Sequence, residues 1–598
     1  MRQNERIPVQ IVAEYEDIAR IVAGQISALI RERAAVGKRA VLGLATGSTP
    51  IGIYRELIRM HREEGLDFSN VVTFNLDQYH PMPTESIHSF ARYMRENLFD
   101  HVNIPRENIY FLSGEIPREQ VVEHCAAFEA AIRGAGGIDL QILGVGRTGH
   151  IGFNEPGSGR DSRTRLIALD AVTRKDAAAD FFGEENVPRE ALTMGVGTIL
   201  ESREVVLIAT GEHKAPIIRR AVEGEISREV AATFLQEHPN ATIYVDGAAS
   251  GELTRVKTPW LLAEIDWTPE LTDRACIWLS QLIDTSLLRL STNDFRENHL
   301  GDLINQYDSV DALTKHVHAR LAAKIRDNDA LPARQRVIVF SPHPDDDVIS
   351  MGGTLAKLHE NGNELIVAYM TSGNIAVFDH EVRRYVDFIR RFFGDIMEDG
   401  RRGMDVVTKR ILTSLANKKP GEVDIPEVQD MKRVIREAEA VSGVEAIGIS
   451  GERTRFLNLP FYQTGKVKKD PVGPDDVRII RELFDEMKPD VVYVAGDLSD
   501  PHGTHRQCME AIHAALDEYR GPQPEVWYYR GAWQEWPVHE ADVLVPMSRE
   551  ELRRKILAIF KHQSQKDVPP FPGPNDDREF WQRVEARNTT TAREVDAL

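Results

Sequence analysis

An alternation constrains the fold more than any other feature of the chain. Short, apolar, β-branched runs alternate with helical patterns through the amino-terminal part: AVLGLATG (40–47), VVTFNLD (71–77), IDLQILGVG (138–146), VVLIATG (205–211) and ATIYVDG (241–247). Each run is continuously apolar, which suits a strand buried on both faces of a parallel sheet beneath helices. Each ends in Gly or Asp, so ligand chemistry belongs in the crevice at the carboxyl ends of these strands. From 285 to 333 the pattern becomes polar and helical, and a second series follows with RVIVFSPHPDD (336–346), ELIVAYMTSG (364–373) and DVVYVAGD (490–497).

The expected class is α/β, with two Rossmann-like three-layer domains, each a mainly parallel sheet covered by helices. The expected boundaries are 1–284, a helical connector at 285–333, and 334–598. A stretch near 375–445, rich in Arg, Lys, Asp and Glu, predicts a solvated helical insertion, with a lid or partner surface as the sharper alternative. A chain of 598 residues is too long for one core. Lys and Arg number 73 against 93 Asp and Glu, a net charge of −20, which repels nucleic acid and anionic membrane surfaces. Three widely spaced cysteines, Cys125, Cys276 and Cys508, exclude a disulfide framework and a cysteine-based zinc module. The amino terminus lacks an apolar signal, and no apolar run reaches the length of about 18 residues needed to span a bilayer. A reducing cytoplasm is the expected location.

Gly144, Gly146 and Gly149 form a GxGxxG after an expected strand, and Asp170 follows about 20 residues on, as in a dinucleotide fingerprint. That fingerprint needs a helix starting within the glycines, whereas HIGFNEPGSGRDS carries Pro156, Gly157 and Gly159, which prevent one. Nicotinamide or flavin binding is therefore not expected.

LATGSTP (44–50) puts Gly47, Ser48 and Thr49 between a strand and a helical pattern, where backbone N–H groups and hydroxyls meet a phosphate at a helix amino terminus. Asp77 ends a strand in NLDQY, and His150 and Glu155 lie in GHIGFNEP beyond another. Three titratable groups at one sheet edge suit acid and base work. LATGSTP, VVTFNLDQYHPMP, ILGVGRTGHIGFNEPGS, SRTRL, ALTMGVGTIL, HKAPIIRRAVEG and FLQEHPNATIYVD, in this order over about 1–265, resemble the glucosamine-6-phosphate deaminase (isomerising) family. The resemblance implies an amino-sugar 6-phosphate substrate, ring opening, aldose to ketose isomerisation and loss of ammonia. It implies Asp77 as general base, His150 as ring-opening group assisted by Glu155, and Gly47, Ser48, Thr49, Arg174 and Lys214 as phosphate ligands. It also implies a homo-oligomer. Gln78 and Thr148 stand where the family usually has acidic residues, which weakens the relay expected to orient His150. Of the effector site seen in some relatives only Arg165 and Ser158 remain.

SPHPDDD (341–347) brings His343, Asp345 and Asp346 to the end of a second-series strand, and DLSDPHGTHRQ (497–507) brings His502 and His505 to the end of another. Imidazole and carboxylate ligands at neighbouring strand ends suit zinc with an open position for water. With GGTLAKLHENG, REAEAVSGVEAIGI, RFLNLP and KHQSQ, this half resembles the zinc-dependent de-N-acetylases acting on N-acetylglucosaminyl groups, over about 334–570. The resemblance implies His343, Asp346 and His505 as ligands of Zn2+, Asp345 as general base and His502 at the oxyanion. Asp347 replaces the family's usual Glu, HGTH replaces HPDH, and Asp500 is a candidate substitute for the missing carboxylate. Both resemblances point to amino sugars, so a bifunctional catabolic enzyme is the expectation. Two alternatives stand beside it: a first domain that senses sugar phosphate without turnover, leaving only the deacetylase active, and lactone hydrolysis, which the same superfamily includes.

Overall fold

A computed structural model of the chain describes residues 4–13, 15–178, 181, 184–393, 401–418, 422–465, 469–496, 503–565 and 578–598. They form two compact units, Met1–Ala263 and Glu264–Leu598. The helices Thr292–Glu297, Gly301–Ile304 and Val310–Lys324 belong to the second.

The first unit is built on a seven-stranded, wholly parallel sheet in the order β1 (Val9–Val12), β10 (Ala241–Asp246), β9 (Glu204–Ala209), β6 (Leu140–Leu143), β2 (Ala40–Leu44), β3 (Val71–Asn75), β5 (Ile109–Tyr110). All five residues of β2 and of β3 are buried, as their unbroken apolar composition requires. The helix Tyr15–Ala35 buries Ile18, Val22, Ile26 and Ile30, one stripe at four-residue spacing. From β2 the chain builds outward to β3 and β5 on one side and to β6, β9 and β10 on the other, so the strand order reverses between β2 and β6. The short edge strands β1 and β5 carry no continuous apolar signal, because most of their residues face outward. Nor does periodicity announce a small antiparallel sheet of β4 (Asp77–His80), β8 (Glu190–Thr193) and β7 (Arg165–Ala168). Its register sets Asp77 opposite Thr193, and Leu76 joins both sheets by donating to Leu44 and accepting from Met194.

The second unit repeats the plan with a parallel sheet in the order β13 (Thr454–Phe456), β12 (Glu364–Tyr369), β11 (Arg336–Ser341), β14 (Val491–Ala495), β15 (Glu525–Tyr529). Its order reverses between β11 and β14. Between β12 and β13 the helices Asp379–Arg391, Arg401–Asn417 and Pro426–Ala446 enclose their own apolar cluster, including Val382, Val386, Ile411 and Val428. Lys418 and Lys432 tie Asp379 to Asp424 beside it, at 2.6–3.1 Å. Among the described residues no helix is long and apolar enough to cross a membrane.

One buried charge braces the first sheet. Asp139, at the start of β6, pairs with Arg33, pairs with Arg203 at 2.6 Å and accepts from the N–H of Val41 at 3.0 Å. Arg33 and Arg203 keep part of their surface in water, so removing Asp139 forfeits its hydrogen bonds at a cost of about 1.5–3 kcal/mol. Asp139→Ala should lower the urea midpoint accordingly, whereas Arg20→Ala, which breaks an exposed pair with Asp17, should change stability by less than about 1 kcal/mol.

Candidate active sites

Both candidate sites stand where the strand order reverses, the place in an open parallel sheet where a crevice forms. In the first unit, β2 leads into Gly47, Ser48 and Thr49 and then the helix Ile51–Glu64. Two tyrosines hold this turn. Tyr93 donates to the Gly47 carbonyl at 2.5 Å, while Tyr15 donates to the Thr49 carbonyl and accepts from the N–H of Gly52, both at 2.7 Å. Asp77 is buried at the start of β4, and burial pushes its carboxyl up to about 7.

β6 leads into the turn that carries His150. Its Nδ1 lies 2.9 Å from the Thr148 hydroxyl and 3.2 Å from Glu155 Oε2. Burial acts to raise Glu155, but its hydrogen bonds with His150, Thr173 and the N–H of Asp170 outweigh this and hold it below the usual range. A buried carboxylate therefore already sits on the ring nitrogen that needs an orienting partner. The glycines serve this turn: residues 144–164 form turns and bends without a helix, Gly149 has φ +82°, and a Cβ on Gly146 would lie 2.1 Å from the His150 ring. Asp170 caps the helix Ala171–Ala177 by accepting from Val172 at 2.8 Å. Arg174 is on that helix, 3.6 Å from Glu184, and Lys214 precedes the helix Ala215–Glu223, where burial lowers its ammonium to about 8.

In the second unit, β11 leads into His343, Asp345 and Asp346, and His505 lies in the first turn of the helix Thr504–Glu518 after β14. One ligand atom from each of His343, Asp346 and His505 lies within 4.8 Å of the others. Asp346 Oδ2 is 3.2 Å from His343 Nδ1 and 3.1 Å from His505 Nε2. Burial opposes its ionisation, but the two imidazoles, His505 first, hold its carboxyl far below the usual range. Two nitrogens and one carboxylate oxygen, nearly all buried, fit the donor set of a zinc site. Asp345 is paired instead with Arg436, a fully buried guanidinium 3.0 Å away. His502 and Asp500 lie outside the described residues.

A family profile described as glucosamine-6-phosphate isomerases/6-phosphogluconolactonase matches residues 13–244, and one described as GlcNAc-PI de-N-acetylase matches 338–516. A glucosamine-6-phosphate deaminase-like protein of Bacteroides thetaiotaomicron is 42% identical, over 99% of this chain and 92% of its own length. The chain belongs to this glucosamine-6-phosphate deaminase-like family. Glucosamine-6-phosphate deaminase 2 of Giardia intestinalis is 47% identical over 42% of this chain and 92% of its own. A solved monomeric glucosamine-6-phosphate deaminase, 37% identical, covers 41% of this chain and 100% of its own at a TM-score of 0.40.

In this deaminase-like protein the two departures in the first half have separate physical accounts. Gln78 is buried and turned to the helix Phe90–Asn97, donating to Ser89 at 3.3 Å and accepting from the N–H of Phe90 at 3.4 Å. Thr148 puts a hydroxyl where a carboxylate was expected, and Glu155 reaches the same nitrogen from seven residues on. Sequence reasoning assigns no role to Tyr15, Tyr93 or Arg436, each of which acts on a residue distant in the chain. Only Arg436 stands in one of the motifs that carry a resemblance, REAEAVSGVEAIGI. Gly146→Ala should displace the His150 ring and lower any turnover that depends on that ring by at least about 10-fold. The ring lies partly open, so thermal unfolding should show a much smaller change.

Proposed function

We propose that the first unit converts glucosamine 6-phosphate to fructose 6-phosphate and ammonia, and that the second hydrolyses the N-acetyl group of an N-acetylglucosamine-type substrate with zinc. The observation that supports the deaminase reading best is the His150–Glu155 contact of 3.2 Å, which supplies the orienting carboxylate that Thr148 lacks. It also weighs against a first unit that binds sugar phosphate without turnover.

The turn Gly47–Thr49, at the amino terminus of the helix Ile51–Glu64, receives the phosphate together with Arg174 and Lys214. In a chain of net charge −20, these few cations draw in the anion. His150, held at Nδ1, takes the proton of the sugar's C1 hydroxyl at Nε2 and passes it to the ring oxygen as the bond from C1 to that oxygen breaks, and ionised Glu155 stabilises the imidazolium that forms between the two transfers. Asp77 then carries a proton between the first two sugar carbons, water enters, and ammonia leaves. In the second unit His343, Asp346 and His505 hold the metal, which when bound polarises the acetyl carbonyl and acidifies water. Asp345, held by Arg436, takes the proton of the attacking water, and His502 donates to the developing oxyanion. Deacetylation yields the free amine that deamination consumes, so the steps are sequential on one amino sugar. The location is the cytoplasm, in keeping with three buried free cysteines.

Asp77 must be ionised to act, so kcat/KM for ammonia release should fall about tenfold per pH unit below about 7 and level off above it. Asp77→Asn should lower kcat by about 10²–10⁴-fold. A carboxyl raised in the folded state costs stability once pH exceeds its unfolded value. Asp77→Asn should therefore be the more stable protein at pH 8, by at most about 4 kcal/mol, and lose that advantage near pH 4. A flat pH profile with full activity in Asp77→Asn would reject the assignment. For the second unit, a protein carrying His343→Ala and Asp346→Ala should lose its zinc by metal analysis, and retention of stoichiometric zinc would reject the ligand set. N-acetylglucosamine 6-phosphate should release acetate and then ammonia; release of neither would reject the sequential reading.

A further inference from the structure

Beside Asp345 the second unit has a small, partly open pocket of about 20 Å³. Asp345 is one wall, and Ile349, Ile559, Phe580, Trp581 and His562 are among the others. A void of this size holds one water molecule or one methyl group. This space sets the carboxylates of Asp345 and Glu579 against a mainly apolar wall. Ile349 is one turn into the helix that begins at Asp346, so wall and ligand turn are one rigid piece. The other four residues lie beyond the de-N-acetylase match, which ends at residue 516. They come from the end of the helix Arg549–Ile559, the turn after it, and the start of the helix Phe580–Ala597. His562 is buried, and neither of its ring nitrogens has a hydrogen-bond partner among the described residues. Burial lowers it to about 4, so the imidazole is neutral. A buried polar group without a partner calls for one, and an amide has both an N–H and a C=O to offer.

We propose that this cavity is the acyl subsite of the second unit: the methyl of an N-acetyl group seats against Ile349, Ile559 and Trp581, the amide lies within reach of His562 and Asp345, and the walls exclude longer acyl chains. The inference rests on the deacetylase reading and adds its acyl specificity. In the step it serves, the amide C–N bond breaks and a C–O bond to the water oxygen forms. Both water protons finish on the amine, one by way of Asp345, and the acid leaves as a carboxylate. A volume of about 20 Å³ suits one methyl, and each additional methylene forced against an apolar wall costs about 10-fold or more in kcat/KM.

The test uses the zinc-loaded full chain with N-acetyl, N-propionyl and N-butyryl glucosamine 6-phosphate, reading carboxylate release. The wild type should prefer acetyl to butyryl by about 100-fold or more. Trp581→Ala should raise butyryl kcat/KM relative to acetyl by at least about 10-fold. Ile559→Val, which removes one methyl and leaves the core apolar, should raise propionyl alone by a smaller factor. An unchanged chain-length profile in both variants, with zinc and acetyl turnover kept, would overturn the subsite and leave the deacetylase reading standing. No carboxylate from any of the three substrates with the wild type would overturn both.

Discussion

In a parallel sheet built outward from its centre, the two strands at the point of reversal are followed by connections that run apart, and a gap opens at their carboxyl ends. Both candidate sites depend on that gap, which occurs twice. Between β2 and β6 it gathers the turn at Gly47–Thr49 and the loop of His150 and Glu155. Between β11 and β14 it gathers His343 and Asp346 from one strand end and His505 from the other. Apart from Arg336 at the start of β11, every residue of these four strands is buried, so their ends are fixed by packing, and the groups just beyond them inherit that rigidity.

Four aspartates, three of them buried, show how environment alone separates chemically identical groups. Asp77 has burial as the dominant influence and is pushed up to about 7, near the working range of a general base. Asp347 is likewise raised to about 7 by burial, partly offset by a hydrogen bond from Tyr369 at 2.9 Å. Asp346, one residue earlier, is held ionised by two imidazoles. Asp345, one earlier again, faces a buried guanidinium. Three successive residues thus meet three different surroundings, because successive side chains at the start of a helix point about 100° apart.

The strand runs and the chemistry at their ends were legible in the sequence for a simple reason. A strand buried on both faces must be apolar throughout, and the residues directly after it must turn the chain back. The lack of a helix after Gly144 was legible too, since Pro156 and the glycines around it forbid one, and the structure uses Gly146 to make room for His150. Less could be read where side chains alternate between core and solvent. The edge strands β1, β5 and β15 carry mixed patterns, and the antiparallel β4–β8–β7 sheet draws on segments more than a hundred residues apart.

The order of apolar runs and breakers determined, without any coordinates, that this chain makes two parallel α/β units and that Asp77, His150, Glu155, His343, Asp346 and His505 lie at strand ends. Tertiary structure alone decided what each of these groups meets. That Glu155 reaches the His150 nitrogen left short of a carboxylate by Thr148, that Arg436 pairs with Asp345 across about ninety residues of chain, and that helices near the carboxyl terminus wall a methyl-sized cavity are all matters of folding in three dimensions. Local periodicity reports which face of an element is buried; it carries no record of which distant residue buries it.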